Sequence, residues 1–234
     1  MKAVFFDFDD TLVYTNVIFD DVKLKFLQTM QEWNLGDGKI LDTLNYYDIE
    51  NVKKCGGFAK ECFPQALVQT YLHYCAHRGE AACQEKMKEM EELGWKALYQ
   101  KPELLEGAEE VLERLSYSYQ LFLITKGDQE LQTLKISQSG LKDFFTRIYV
   151  VLEKNDHVFR GIMEQHAISP KQSWSVGNSI KADINPALRA GMNCIHVLTP
   201  SWDFEHEESQ GEYYQVDHLR EIISIIEGKN VNAR

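Results

Sequence analysis

The stretch Lys2-Ala3-Val4-Phe5-Phe6-Asp7-Phe8-Asp9-Asp10-Thr11-Leu12 sets the reading of this chain. A short, uninterrupted apolar run that ends abruptly in carboxylates has the length of a strand buried on both faces, not of a helix. Four later runs share that form: Gln120–Ile124, Arg147–Leu152, Ser173–Val176 and Asn193–Leu198. Between them lie segments with helical spacing of apolar residues, Gln129–Ser139, His157–His166 and Lys181–Ala190, with Glu109–Leu115 leading into the second strand. Strand and helix in alternation predict a parallel sheet covered on both sides, a doubly wound (Rossmann-like) α/β class.

One gap breaks the alternation. More than a hundred residues separate Asp7 from Leu121, whereas a crossover needs a few dozen at most. Val17–Trp33, Lys39–Lys53, Cys62–Arg78 and Glu80–Tyr99 fill that gap with helix-type periodicity, punctuated by Gly36, Gly38, Gly56, Gly57 and Gly79. The expected organisation is therefore an α/β domain over 1–14 and 101–234, with an all-α insert over 15–100. The insert's aromatic residues, Tyr46, Tyr47, Phe58, Phe63, Tyr71 and Tyr74, are read as its core. At the far end Val216–Glu227 reads as a helix packed on the sheet, and Thr199–Tyr214 as a surface loop.

In open α/β sheets ligands bind beyond the carboxyl ends of the strands. The polar residues standing there are Asp7, Thr125, Lys154 and Asn178. Singly, each has a plain structural explanation: a helix cap for Asp7 or Asn178, strand-end chemistry for Thr125, a solvated charge for Lys154. Together they suit a phosphate and a hard metal ion.

Composition narrows the classes further. With 44% hydrophobic residues in 234, the chain has material for an ordinary packed core. Its 36 acidic against 25 basic residues give a formal charge of −11, which argues against nucleic-acid partners and anionic membrane surfaces. Five cysteines, an odd number with no C-x-x-C pair, suggest neither a disulfide framework nor a zinc site and fit a cytoplasmic setting. No stretch has the apolar length of a membrane span, and the first residues do not read as a signal peptide. A monomer or weak homodimer is expected, and the histidines are assigned no metal site.

Asp7-Phe8-Asp9-Asp10-Thr11-Leu12 resembles the D-x-D-x-T-L signature of the haloacid dehalogenase superfamily, and the later motifs of that family have counterparts in order. Thr125 with Lys126-Gly127 is similar to the second motif, Glu153-Lys154 to the third, and Gly177-Asn178-Ser179 with Asp183 to the fourth. The resemblance implies a phosphatase with a small helical cap between the first two motifs, acting on a small-molecule phosphate ester. It implies Asp7 as nucleophile, Asp9 as general acid and base, Thr125 and Lys154 as further catalytic groups, and Thr125, Lys126 and Lys154 around the phosphate. It also implies Mg2+ held by Asp7, the backbone carbonyl of Asp9, Asn178 and Asp183. The family usually has an acidic residue where Asn178 stands, so metal affinity is expected to be weaker. Phosphonate-cleaving and dehalogenating chemistry are disfavoured by Asp9; a phosphomutase and a non-catalytic phosphate-binding protein remain as alternatives.

Overall fold

Ala3–Phe6 forms the first strand, β1, in a computed structural model that describes residues 2–199 and 207–228. All four side chains are buried, as expected of an apolar run with sheet neighbours on both sides and helices on both faces. Past a tight turn, Val13–Tyr14 (β2) runs antiparallel to Glu103–Leu104 (β3). The chain between these strands is helical: α1 (Asn16–Glu32), α2 (Ile40–Cys55), α3 (Cys62–Arg78) and α4 (Gln84–Leu98). Then follow α5 (Ala108–Ser116), β4 (Gln120–Lys126), α6 (Gln129–Ser139), β5 (Arg147–Val151) and α7 (Asp156–Gln165). The chain continues through β6 (Ser173–Gly177), α8 (Asn185–Arg189), β7 (Asn193–Val197), β8 (Tyr214–Val216) and α9 (Glu221–Ile226).

The main sheet has the order β5-β4-β1-β6-β7-β8, with every pairing parallel. β1 lies inside it, and the strand order reverses there: later strands add first on its β4 side, then on its β6 side. The period-2 alternation of β1 and β4 sends residues to opposite faces. Val4, Phe6, Leu121 and Leu123 join α5 and α9 in one core. Phe5, Phe122 and Ile124 join Phe159, Ile162 and Met163 of α7 in another, and the rings of Phe5 and Phe122 stack at 5.0 Å. Phe6 is level with Leu123 and Val176, so Asp7 emerges at the edge where β4 and β6 also end. This is the doubly wound α/β architecture anticipated above.

The chain divides into two compact units, Met1–Asn16 with Lys101–Arg234, and Val17–Gln100. The second unit has its own core, in which Ile18, Val22, Phe26 and Met30 of α1 recur at four-residue spacing. They meet Leu67 and Tyr71 of α3 and Met90 of α4. At Gly94 of α4 a β-carbon would lie 2.5 Å from the backbone of Pro64, so only glycine allows the two helices to approach this closely. Of the aromatics read as core, Phe63, Tyr71 and Tyr74 are buried, but Tyr46 is 60% exposed.

Two further expectations change. Val216 is not the start of a helix: it closes β8, which pairs with Ile195–Val197, and the helix begins only at Glu221. The predicted helix Lys181–Ala190 is a five-residue π turn, Ile180–Ile184, followed by the short α8. Of the expected loop Thr199–Tyr214, residues 200–206 lie outside the described residues. Among the described residues no helix is long and apolar enough to cross a membrane, and all five cysteines are free.

Candidate active site

Three buried charged side chains meet at the carboxyl edge of the main sheet. Asp7 follows β1 directly, and its N–H donates to Val176 O at 2.9 Å, extending the ladder by one step. Lys154 follows β5 and precedes Asn155, whose side chain accepts the Val158 N–H and caps α7. Its ammonium donates to Asp7 Oδ1 at 2.5 Å and to Asp183 Oδ1 at 2.6 Å. Burial opposes a charged lysine, yet the Asp183 and Asp7 carboxylates outweigh it and hold Lys154 above its ordinary value. For Asp7 burial raises the carboxyl, Lys154 draws it back and Asp183 pushes it up again, leaving it at about 7. Two buried carboxylates on one ammonium carry an excess negative charge, and their oxygens are the ligands that a hard divalent cation takes. Among the described residues, no three His, Cys, Asp or Glu side chains form a ready cage for such an ion.

Asp9, two residues beyond Asp7, is tied differently. One oxygen accepts the Thr15 hydroxyl at 2.5 Å and pairs with the Lys135 ammonium; the other accepts Gln132 Nε2 at 2.6 Å. Burial raises this carboxyl, but Lys135 and the hydrogen bonds from Lys135, Thr15 and Gln132 hold it below the usual carboxylate range. Asp10 adopts a left-handed conformation, φ 55°, that aspartate tolerates better than most residues. Its carboxylate accepts the N–H groups of Thr15 and Asn16 at the start of α1, so it is a turn and cap residue.

Thr125, penultimate in β4, accepts Gln132 Nε2 at 2.7 Å. Lys126 closes the strand, and its carbonyl accepts the same amide at 2.9 Å. Asn178 follows β6, and its carbonyl accepts His196 Nε2 at 2.9 Å. The sequence-predicted residues thus divide: Asp7, Lys154 and Asp183 meet in one group, while Asp9 and Thr125 are linked through Gln132.

The pattern of the haloacid dehalogenase-like hydrolases matches residues 4–197. The chain belongs to that family. Among curated relatives of this haloacid dehalogenase-like hydrolase, the N-acylneuraminate-9-phosphatase of Rattus norvegicus is 23% identical, the match covering 97% of this chain and 94% of the relative. The glyceraldehyde 3-phosphate phosphatase of Pyrococcus furiosus is 24% identical, with 98% and 95% covered. Among solved structures, a haloacid dehalogenase-like family hydrolase from Xanthomonas campestris superposes with a TM-score of 0.80 at 24% identity, covering 98% of this chain and 97% of that one.

Three residues of the candidate site escape a reading of strand ends. Thr11 donates its hydroxyl to Asp7 Oδ2 at 3.0 Å, holding the carboxylate oxygen that Lys154 does not. Gln132 and Lys135 both stand on α6 and both reach Asp9. Their i,i+3 spacing on a helix that starts just after β4 was a signal of a shared face, though not of what that face meets.

Proposed function

We propose that this hydrolase is a magnesium-dependent phosphatase that releases phosphate from a small phosphorylated metabolite in the cytoplasm, by way of a phosphoryl group carried on Asp7. The observation that carries this reading is the buried group of Asp7, Lys154 and Asp183 at the carboxyl edge of the sheet. Relatives named as phosphatases over nearly the whole chain support it. Asp7, the carbonyl of Asp9, Asn178 and Asp183 would hold Mg2+, which supplies positive charge against the phosphate dianion and keeps Asp7 ionised at neutral pH.

The residues of the chain then divide the work. A carboxylate approaching a phosphate dianion meets like-charge repulsion, which the Lys154 ammonium lowers. One Asp7 oxygen attacks phosphorus as the bond from phosphorus to the alcohol oxygen breaks, and the alcohol leaves with a proton from Asp9. Water, losing a proton to Asp9, then attacks the phosphoryl group and restores Asp7. Thr125 donates its hydroxyl to a phosphoryl oxygen, and Lys126 stands next to it at the end of β4. As a carboxylate bound by Lys135, Gln132 and Thr15, Asp9 suits the second half, where it takes a proton. In the first half it must exchange the Lys135 contact for a proton.

The test is phosphate release from p-nitrophenyl phosphate and a panel of phosphorylated metabolites, with and without magnesium, beside Asp7→Asn. Magnesium-dependent release that vanishes in Asp7→Asn is the expected result. No release from any ester overturns the reading.

A further inference from the structure

We propose that Gln132 is a positioning residue that commits the Thr125 hydroxyl to donate into the phosphate site, an inference resting on the reading of Thr125 as a phosphate ligand. Gln132 stands near the start of α6 and is 3% exposed. Its Nε2 lies 2.6 Å from Asp9 Oδ2, 2.7 Å from Thr125 Oγ1 and 2.9 Å from the carbonyl of Lys126. A carboxylate and a carbonyl only accept, so the amide must present its NH2 group to this side. The reverse orientation would set Oε1 against both. The adopted orientation leaves Oε1 buried without a hydrogen-bond partner, which marks how strongly the three acceptors dictate the direction of the amide.

The consequence falls on Thr125. The amide has two hydrogens for its three neighbours, so Thr125 Oγ1 shares one of them, and because an amide nitrogen does not accept, the hydroxyl hydrogen must turn elsewhere. The acceptor it has within reach is the carbonyl of Lys126 at 3.5 Å, long for a hydroxyl donor. A hydroxyl with an occupied lone pair and a hydrogen lacking a good acceptor is what a phosphoryl oxygen requires. Gly127 makes the arrangement possible. Its φ of 140° favours glycine, and a β-carbon there would sit 3.2 Å from Gln132 Cγ. Thr125, Gly127 and Gln132 therefore work as one device: a donor, the space beside it, and the amide that aims it.

A double-mutant cycle on phosphate binding tests this. Inorganic phosphate is titrated calorimetrically, in magnesium buffer, into the full-length wild type, Gln132→Met, Thr125→Val and the double variant, with thermal midpoints confirming that each is folded. Gln132→Met is expected to weaken phosphate about 3- to 10-fold, the worth of one hydrogen bond. In the Thr125→Val background it should cost less than about 2-fold, because the two residues act through one contact. Gln132→Leu, which likewise lacks a donor and adds no charge, should weaken phosphate as much as Gln132→Met and carries the cycle should Gln132→Met not fold. Equal losses with and without the Thr125→Val substitution overturn the inference while leaving the phosphatase reading intact. A wild type that binds no phosphate overturns both.

Discussion

Lys154→Met removes the ammonium shared by Asp7 and Asp183 while keeping most of the volume of the side chain. Two carboxylates are left facing each other in a site where they are 8% and 2% exposed. Breaking a buried ion pair from one side costs on the order of 3–5 kcal/mol. Asp7, which already titrates at about 7, can relieve part of this by taking up a proton, so the lower end, about 3 kcal/mol, is expected near neutrality. For a chain of this size that corresponds to a fall in Tm of about 6–12 °C. The loss must depend on pH. Without Lys154 the folded pKa of Asp7 rises further above its unfolded value, so the folded protein binds the proton more tightly in the window between them. Stability of the variant then falls as pH rises through that window, from about 4 to above 7, and its deficit is larger at pH 8 than at pH 6. Thermal unfolding of both proteins in metal-free buffer at these two pH values measures it. A deficit below about 2 °C at pH 8, or one no larger than at pH 6, would refute the account of Lys154 as the charge that makes the carboxylates tolerable.

Two other substitutions probe single charges. Asp48 of α2 is raised to about 6, burial outweighing the pull of Lys23, so its folded form loses stability as pH rises from about 4 to 6 and stays penalised above. Asp48→Asn should therefore add about 1–2 kcal/mol at pH 7.5, allowing for partial solvation, and almost nothing at pH 4; denaturant unfolding showing the same effect at both values would rule this out. Lys135→Met takes away the charge that most strongly lowers Asp9, so the Asp9 carboxyl moves up and, because Asp9 must carry a proton when the alcohol leaves, the alkaline limb of the kcat/KM profile shifts to higher pH. A limb that stays in place would show that Asp9 does not govern it.

The sequence disclosed what local pattern encodes. β1, β4 and β6 are apolar runs of strand length with a polar residue close behind, so the sheet and the places of Asp7, Thr125 and Asn178 were legible from the chain alone. Val216 was misassigned because its spacing to Leu219, Ile222 and Ile226 is helical, while its pairing with β7 is a tertiary fact. Tyr46 looked like core because aromatic content does not say which face of α2 it occupies. Gln132 and Lys135 were missed for a related reason. On α6 they resemble ordinary polar positions, and their partner Asp9 is more than a hundred residues away in the chain.

The loop after β6 shows how the site accommodates Asn178 in place of an acid. The second carboxylate next to Lys154 comes from Asp183, which the π turn Ile180–Ile184 brings back toward the strand end. Such a turn holds one residue more than an α-helical one and is frequent at functional sites. The Ser179 N–H donates to Asp183 Oδ2 at 3.0 Å, Ser175 Oγ donates to the Asp183 carbonyl at 2.9 Å, and Ser179 Oγ accepts the Ala182 N–H. A β-carbon at residue 177 would lie 2.3 Å from the Asp183 carboxylate, so Gly177 is the condition for that carboxylate to reach Lys154 at all. The negative charge at this end of β6 therefore depends on Gly177, Ser179 and the π turn as much as on Asp183, and Asn178 can be neutral without leaving Lys154 short of a second carboxylate.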